Sequence, residues 1–189
     1  MPCDNLTMEE EDYLNQYAQR LQDSLVRLCS TREMMGGVLL ENDDIESKFT
    51  EELARPYLTD AIREYREYPE AAVAWAGYLG MAVAKLWDAD WQAYQQVSYA
   101  DLQGPRGFDD MDERITAQVL GSALDSEPAL RIADLLSACA AEALAMIRHE
   151  HIEPASPRAY YVFARTVQVL YRIGASIELF LLGYKLERL

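Results

Sequence analysis

Apolar residues recur at steps of three and four along nearly the whole chain, and this spacing constrains the fold more than any other feature. It is the spacing of one buried helix face, whereas a half-buried strand shows strict alternation of apolar and polar residues. No alternation longer than a few residues occurs. With 189 residues, 50% of them hydrophobic, the chain is long enough to bury its own core without disulfides or a structural metal. The sequence therefore predicts an all-α protein, a single antiparallel bundle of about six helices.

Capping residues, prolines and glycines mark where the predicted helices begin and end. Thr7 with Glu10 forms a capping box, and Gly36-Gly37 offers a left-handed end to the first helix. Pro56 is expected to kink the second helix, because proline lacks an N–H group and clashes with the preceding turn. Residues 98–108 contain a Gly-Pro-Arg-Gly run and are predicted to form a loop. The predicted helices span residues 7–35, 44–68, 69–97, 109–121, 127–149 and 156–188.

Two of these helices are expected at the centre of the bundle. Small residues recur in the third helix at four-residue steps, at Ala72, Ala76, Gly80 and Ala84. Such a row lets a neighbouring helix approach closely. The uncharged run from Ala71 to Ala84 has 14 residues, fewer than the roughly 20 that a membrane span needs, so we expect a core helix. The last helix is apolar almost all round and is predicted to be central as well.

The charge balance excludes some partners. The chain carries 32 acidic and 17 basic side chains, a net charge of -15 and a pI near 4.5. Non-specific nucleic-acid binding depends on Lys and Arg that neutralise phosphates, so no nucleic-acid partner is expected. An anionic lipid surface would repel the chain too, and no membrane partner is expected. Residues 156–189 differ, with 5 basic against 2 acidic groups, which predicts a basic central helix inside an acidic shell.

The cysteines and the first residues predict a cytoplasmic protein. Cys3, Cys29 and Cys139 are odd in number and far apart in the sequence, without a CxxC motif. This pattern indicates neither a disulfide framework nor a cysteine metal site. The N-terminus leads into an acidic run, Glu9-Glu10-Glu11-Asp12, and lacks the basic and apolar regions of a signal peptide. We therefore expect reduced thiols in the cytoplasm.

An acidic cluster after the Gly-Pro-Arg-Gly run is the candidate metal site. Asp109, Asp110 and Glu113 fall at spacings that can place carboxylates on one face of a helix. Mg²⁺ is commonly bound through one or two carboxylates and water, so these three residues are candidate magnesium ligands. The alternative is a capping role, because acidic side chains in a first helical turn are favoured by the partial positive charge there.

Arginines provide the candidate anion site, formed by Arg106, Arg165 and Arg172. Arg106 belongs to the Gly-Pro-Arg-Gly run, whose backbone amides can also face an anion. The other two belong to a polar line on the last helix, within about 80° at 100° per residue: Arg158, Arg165, Gln168, Arg172 and Ser176. This line predicts a pocket for an anionic ligand, a network of ion pairs with acids such as Asp134 or Glu142, or a solvent-exposed stripe.

No assembled catalytic motif is present. The sequence lacks GxSxG, Walker A, GxGxxG and HExxH motifs, and His149 and His151 would point to different sides of a helix. This favours a non-enzymatic interaction or assembly module without a cofactor, which binds a basic protein partner through its acidic surface or self-associates. The alternative is a Mg²⁺-dependent enzyme, or a binding protein, for a small phosphorylated or otherwise anionic molecule.

Overall fold

The computed structural model describes residues 6–185. Within this range the protein is all-α, as the apolar spacing predicts: helices pack around one core and no strand is formed. The α-helices are α1 (Met8–Thr31), α2 (Asp43–Lys48), α3 (Ala54–Tyr65), α4 (Pro69–Ala89), α5 (Trp91–Gln96), α6 (Tyr99–Leu102), α7 (Met111–Arg114), α8 (Glu127–His149) and α9 (Pro157–Leu181). Phe49–Leu53 and Ile115–Val119 are π-helical turns, and Phe108–Asp110 is a 3₁₀ turn. None of the described helices is long and apolar enough to cross a membrane.

The centre of the fold is the close pair of α4 and α9, which share the most extensive contact between elements. A Cβ atom placed on Gly80 would lie 2.0 Å from the carbonyl oxygen of Tyr171. A Cβ atom on Gly174 would lie 1.9 Å from the carbonyl oxygen of Gly77. Only glycine fits at these positions, because the two backbones touch there. The close approach predicted from the row of small residues is therefore confirmed for Gly80.

The first helix ends earlier than the sequence indicates. Its capping box of Thr7 and Glu10 is formed as predicted. The helix stops at Thr31, however, and not near Gly36-Gly37. Glu33 adopts the left-handed conformation, with φ 59°, and Met34 N–H donates to the carbonyl oxygen of Cys29. These bonds satisfy the last carbonyls of α1, so the glycines are not needed to end it.

The second predicted helix is interrupted before Pro56. Its α-helical pieces, α2 and α3, are joined by the π-helical turn Phe49–Leu53, in which Ala54 N–H donates to the carbonyl oxygen of Phe49. Pro56 has no N–H to give to the carbonyl of Glu52, and its ring crowds that carbonyl. The widened turn directly ahead of the proline is the structural form of the expected kink.

Three further segments depart from the predicted helices. The helix expected over 69–97 is divided at Asp90, whose Oδ1 accepts from Ala93 N–H and so starts α5. The segment 98–108, expected as a loop, contains α6, because Ser98 and Asp101 form a capping box. The helix expected over 109–121 consists of a 3₁₀ turn, the single α-helical turn α7 and a π-helical turn. Short-range capping or packing divides the two predicted helices, and capping alone adds the short helix in the predicted loop.

The two C-terminal helices begin where the sequence predicts. Ser126 and Ser156 cap α8 and α9 with their side chains. Helix α9 ends at Leu181 and not near residue 188, because Gly183, with φ 92°, gives a left-handed end. Residues 186–188 of that predicted helix lie outside the described range.

Candidate functional site

The predicted metal ligand Asp110 is engaged by Arg106. Arg106 donates from its backbone N–H to Oδ2 at 3.0 Å and from Nη2 to Oδ1 at 2.6 Å. These hydrogen bonds hold the pKa of the Asp110 carboxyl below its ordinary value. A Cβ atom on Gly104 would lie 2.0 Å from the Cβ of Asp110, so the turn packs directly on this residue. Both carboxylate oxygens of Asp110 therefore serve to close the turn at residues 104–107.

The other two predicted metal ligands point elsewhere. Asp109 and Glu113 are exposed, whereas Asp110 is buried. Within residues 6–185 no group of three or more His, Cys, Asp or Glu side chains is arranged to hold a metal ion. Asp110 also makes no side-chain cap to α7. The structure thus does not bring the three carboxylates together.

The arginine line of α9 is a seam of contacts with the preceding helices. Arg172 grips Glu46 with two hydrogen bonds, of 2.9 Å from Nε and 2.8 Å from Nη2, and Gln168 donates to the same carboxylate at 2.9 Å. Arg165 donates to Asn15 Oδ1 at 2.9 Å. The guanidinium of Arg158 lies over a tyrosine ring, 5.0 Å from its centre. One of these contacts, Arg172 with Glu46, is an ion pair, so the line is a row of mixed polar contacts and matches none of the three alternatives in full.

The acids that pair with this line are not those expected. Asp134 pairs with Arg32, the residue after the end of α1, and Glu142 accepts from Ser24. Arg106 is occupied by Asp110, while Arg165 and Arg172 have different partners on α1 and α2. The three predicted anion-binding arginines are therefore held separately and do not converge on one ligand position.

A cleft between α4, α7 and α8 brings together side chains that the sequence did not indicate as a group. Its cavity is about 160 Å³. We call it the acidic cleft, and its lining residues are Glu70, Ala74, Trp75, Tyr78, Asp112, Ala133 and Ser137. Helix α4 supplies four of them because Glu70, Ala74 and Tyr78 follow one another at four-residue steps on one face. Asp112 comes from α7, and the last two come from α8.

Two carboxylates of the acidic cleft have no positive partner. Across residues 6–185 no basic side chain forms an ion pair with Glu70 or Asp112. Glu70 accepts a hydrogen bond from the hydroxyl of Ser137, which fixes its direction. Burial raises the pKa of Asp112 above its ordinary value, and the negative charges of Glu113 and Asp110 add to this shift. The cleft consequently carries unbalanced negative charge, with Asp112 partly shielded from water and Glu70 exposed.

Two aromatic residues line the acidic cleft together with these carboxylates. The rings of Trp75 and Tyr78 meet edge to face, with centres 5.7 Å apart and planes 88° apart. Trp75 Nε1–H donates to the carbonyl oxygen of Phe108 at 2.9 Å, which fixes the indole. Burial raises the pKa of Tyr78, and the charge of Asp112 raises it further, so its hydroxyl stays protonated. Aromatic rings beside carboxylates form an environment that attracts organic cations.

A second cavity lies between α3, the end of α8 and the start of α9. Its volume is about 410 Å³. We call it the apolar pocket, and its lining is Ile62, Tyr65, Ile147, Ile152, Pro154, Ala155, Ser156, Ala159, Tyr160, Val162 and Phe163. Ile62 is 46% exposed at its edge. The volume is within the range of small-molecule sites, and the lining is mostly apolar with a few hydroxyl groups.

Sequence patterns gave little indication of either cavity. Asp112 belongs to the acidic run considered for metal binding, but its spacing did not distinguish it from its neighbours. The row from Glu70 to Tyr78 was the only available signal for the acidic cleft. Comparison of the chain with family models, curated proteins and solved structures gave no match.

Proposed function

We propose that this protein is a non-enzymatic, cytoplasmic interaction module that binds a basic protein partner by receiving a lysine side chain in the acidic cleft. The observation that carries the proposal is the pair of carboxylates, Glu70 and Asp112, which line one cavity without a positive partner in the described chain. The net charge of -15 supports it, because such a field attracts basic surfaces and accelerates their encounter.

Electrostatics gives the reason for a cationic occupant. Asp112 is partly buried and loses hydration without gaining a positive partner, while the exposed Glu70 is held in direction by the Ser137 hydroxyl. An ammonium group in the acidic cleft would supply hydrogen-bond donors to Glu70 and Asp112 and would lie beside the aromatic residues Trp75 and Tyr78. A cavity of about 160 Å³ accommodates the end of a lysine side chain and leaves the rest of the partner on the surface.

The test is binding of a short end-blocked peptide with a single lysine, followed by tryptophan fluorescence in a Trp87→Phe/Trp91→Phe background, in which Trp75 is the one tryptophan left. We expect the double variant Glu70→Gln/Asp112→Asn to raise the Kd of the peptide at least about tenfold. This ratio corresponds to a loss of roughly 1.4 kcal/mol in binding free energy. The matched control is Asp109→Asn/Glu67→Gln, which removes the same charge from exposed residues that do not act on the pKa of Asp112. If both double variants weakened peptide binding equally, the effect would come from the overall charge and not from the acidic cleft, which would contradict the proposal. A peptide with norleucine in place of lysine is expected not to bind.

A second candidate function, binding of a small apolar molecule, is favoured by the apolar pocket. The test uses a neutral hydrocarbon dye that has no amine group. The fluorescence emission of this dye rises when it moves from water into an apolar site. We expect Ala159→Trp to fill the pocket and abolish the fluorescence rise. Ala133→Trp, in the acidic cleft, serves as the control and should leave dye binding unchanged while blocking the lysine peptide. Dye binding that survives Ala159→Trp would exclude this pocket as the site.

A further inference from the structure

Two cysteines that are distant in the sequence meet inside the core. Cys29 on α1 and Cys139 on α8 are separated by 110 residues, yet their Sγ atoms lie 3.7 Å apart. Both side chains are fully buried. The sequence indicated only separate reduced thiols, because no local motif links these positions. Their proximity comes from the packing of α1 against α8.

The two helices are held in register around this pair. On one side Ser24 of α1 donates to Glu142 of α8, at 2.8 Å. On the other side Arg32 pairs with Asp134 at 2.7 Å. These exposed contacts flank the pair, and the buried packing of α1 against α8 keeps the two thiols facing each other in the folded protein. The pair is therefore a preorganised dithiol and not a chance approach of flexible side chains.

The surroundings distinguish the two thiols chemically. The hydrogen bond between the sulfurs lowers the pKa of Cys29, and the positive charge of Arg32 lowers it further. The same hydrogen bond, together with burial, raises the pKa of Cys139. The thiolate is the form that attacks an oxidant, and Cys29 lies near the end of α1 whereas Cys139 lies inside α8, so we assign Cys29 as the thiol that reacts first. Cys139 is the neighbouring thiol that can resolve the oxidised sulfur.

We propose that Cys29 and Cys139 form a reversible disulfide when the protein meets a peroxide, so that α1 and α8 become covalently joined under oxidising conditions. Hydrogen peroxide transfers one oxygen to the Cys29 sulfur, which gives a sulfenic acid and one water. Cys139 then attacks that sulfur, the sulfur–oxygen bond breaks, and a second water leaves. In total two thiols lose two electrons and two protons, and one peroxide is reduced to two waters.

Bond formation needs a modest movement. The sulfurs must approach from 3.7 Å to about 2.05 Å, the length of a disulfide. Cys29 lies two residues before the end of α1 at Thr31, so opening of the last helical turn exposes it to an oxidant while the rest of the bundle stays folded. The disulfide then closes a long loop and restricts the unfolded chain, which stabilises the folded state.

The experiment compares the full chain after hydrogen peroxide and after dithiothreitol. We expect the free thiols to fall from three to one, with the mass of a species lacking two hydrogens. Peptide mapping should find Cys29 linked to Cys139. The thermal midpoint is expected to rise by roughly 5–15 °C, because a disulfide that closes a long loop lowers the entropy of the unfolded chain. It should return to its original value on reduction. Cys3→Ser should preserve the linkage and the rise of the thermal midpoint, with its free thiols falling from two to none, and Cys29→Ser should abolish both changes.

Several outcomes would overturn the proposal. Three thiols remaining after treatment, a disulfide that maps to Cys3, or oxygen atoms that map to Cys29 or Cys139 and not to methionine would each do so. So would a lower thermal midpoint of the linked protein. The mapping is done on the unsubstituted chain, so it decides the question even where Cys29→Ser fails to fold.

Discussion

Neighbouring acidic residues around α7 have very different surroundings. Asp110 closes a turn through Arg106, Asp109 and Glu113 face solvent, and Asp112 lines the acidic cleft. Each step along a helix rotates a side chain by about 100°, so adjacent residues meet different neighbours. The surroundings decide the chemistry: hydrogen bonds lower the pKa of Asp110, whereas burial raises the pKa of Asp112.

Lysine binding in the acidic cleft should depend on the ionisation of Asp112. Its pKa is raised by burial, so the carboxylate that binds an ammonium group is fully present only above that raised value. As the pH falls through it, Asp112 takes up a proton and affinity for the lysine peptide decreases. The decrease begins at a higher pH than an ordinary aspartate would give. Titrations over a pH series check this; Asp109→Asn should keep the profile and Asp112→Asn should flatten it.

Glu178 provides a residue-scale test of stability. It is buried on α9, and burial raises its pKa although Lys85 opposes the shift. Folding therefore favours the protonated form of Glu178. The loss of stability caused by its buried charge is absent below the pKa that Glu178 has in the unfolded chain and complete above its pKa in the folded protein. We expect Glu178→Gln to raise the thermal midpoint by a few degrees at neutral pH, with a difference that disappears in acid. The exposed Glu67→Gln is the control. A lower midpoint at neutral pH would contradict this account.

At the scale of elements, the α4–α9 crossing determines the fold. Gly80→Ala would bring a methyl group within 2.0 Å of the carbonyl oxygen of Tyr171, and the backbone there cannot rotate away as a side chain can. The helices must separate, so we expect a loss of about 3 kcal/mol in the free energy of unfolding. Gly36→Ala is the matched control, because its nearest atom is a ring carbon of Phe180 at 3.8 Å. Denaturant unfolding measures both, and equal midpoints would refute the close contact.

The same elements show how far the sequence predicts the fold. Helix starts were predictable where one side chain makes the cap, as at Thr7, Ser126 and Ser156. The divisions at Asp90 and at the π-helical turn Phe49–Leu53 were not, because packing of the neighbouring elements selects them over a continuous helix. Gly80 was identifiable from its row of small residues, whereas nothing in the sequence pointed to Tyr171 as the residue it contacts.

For the whole molecule, the acidic composition was predictable but the candidate sites were not. The sequence suggested clusters of adjacent acids and a line of arginines, and most of these side chains pair within the fold. The acidic cleft and the dithiol instead join residues from distant segments, such as Glu70 with Asp112 and Cys29 with Cys139. A single sequence contains no local signal for such pairs, since tertiary packing creates them.

The net charge of -15 leads to a prediction for the molecule as a whole. Attraction of a lysine peptide combines the local carboxylates with the long-range field, and salt screens charges beyond about 10 Å at an ionic strength of about 0.1 M. Raising the salt well above this level should slow association and weaken binding several-fold, mainly through the association rate. The neutral dye in the apolar pocket is the internal control, because its binding involves no charge. Stopped-flow fluorescence measures both rates in the same protein. Lysine-peptide binding that is insensitive to salt would show that the field of the acidic surface has no part in recognition.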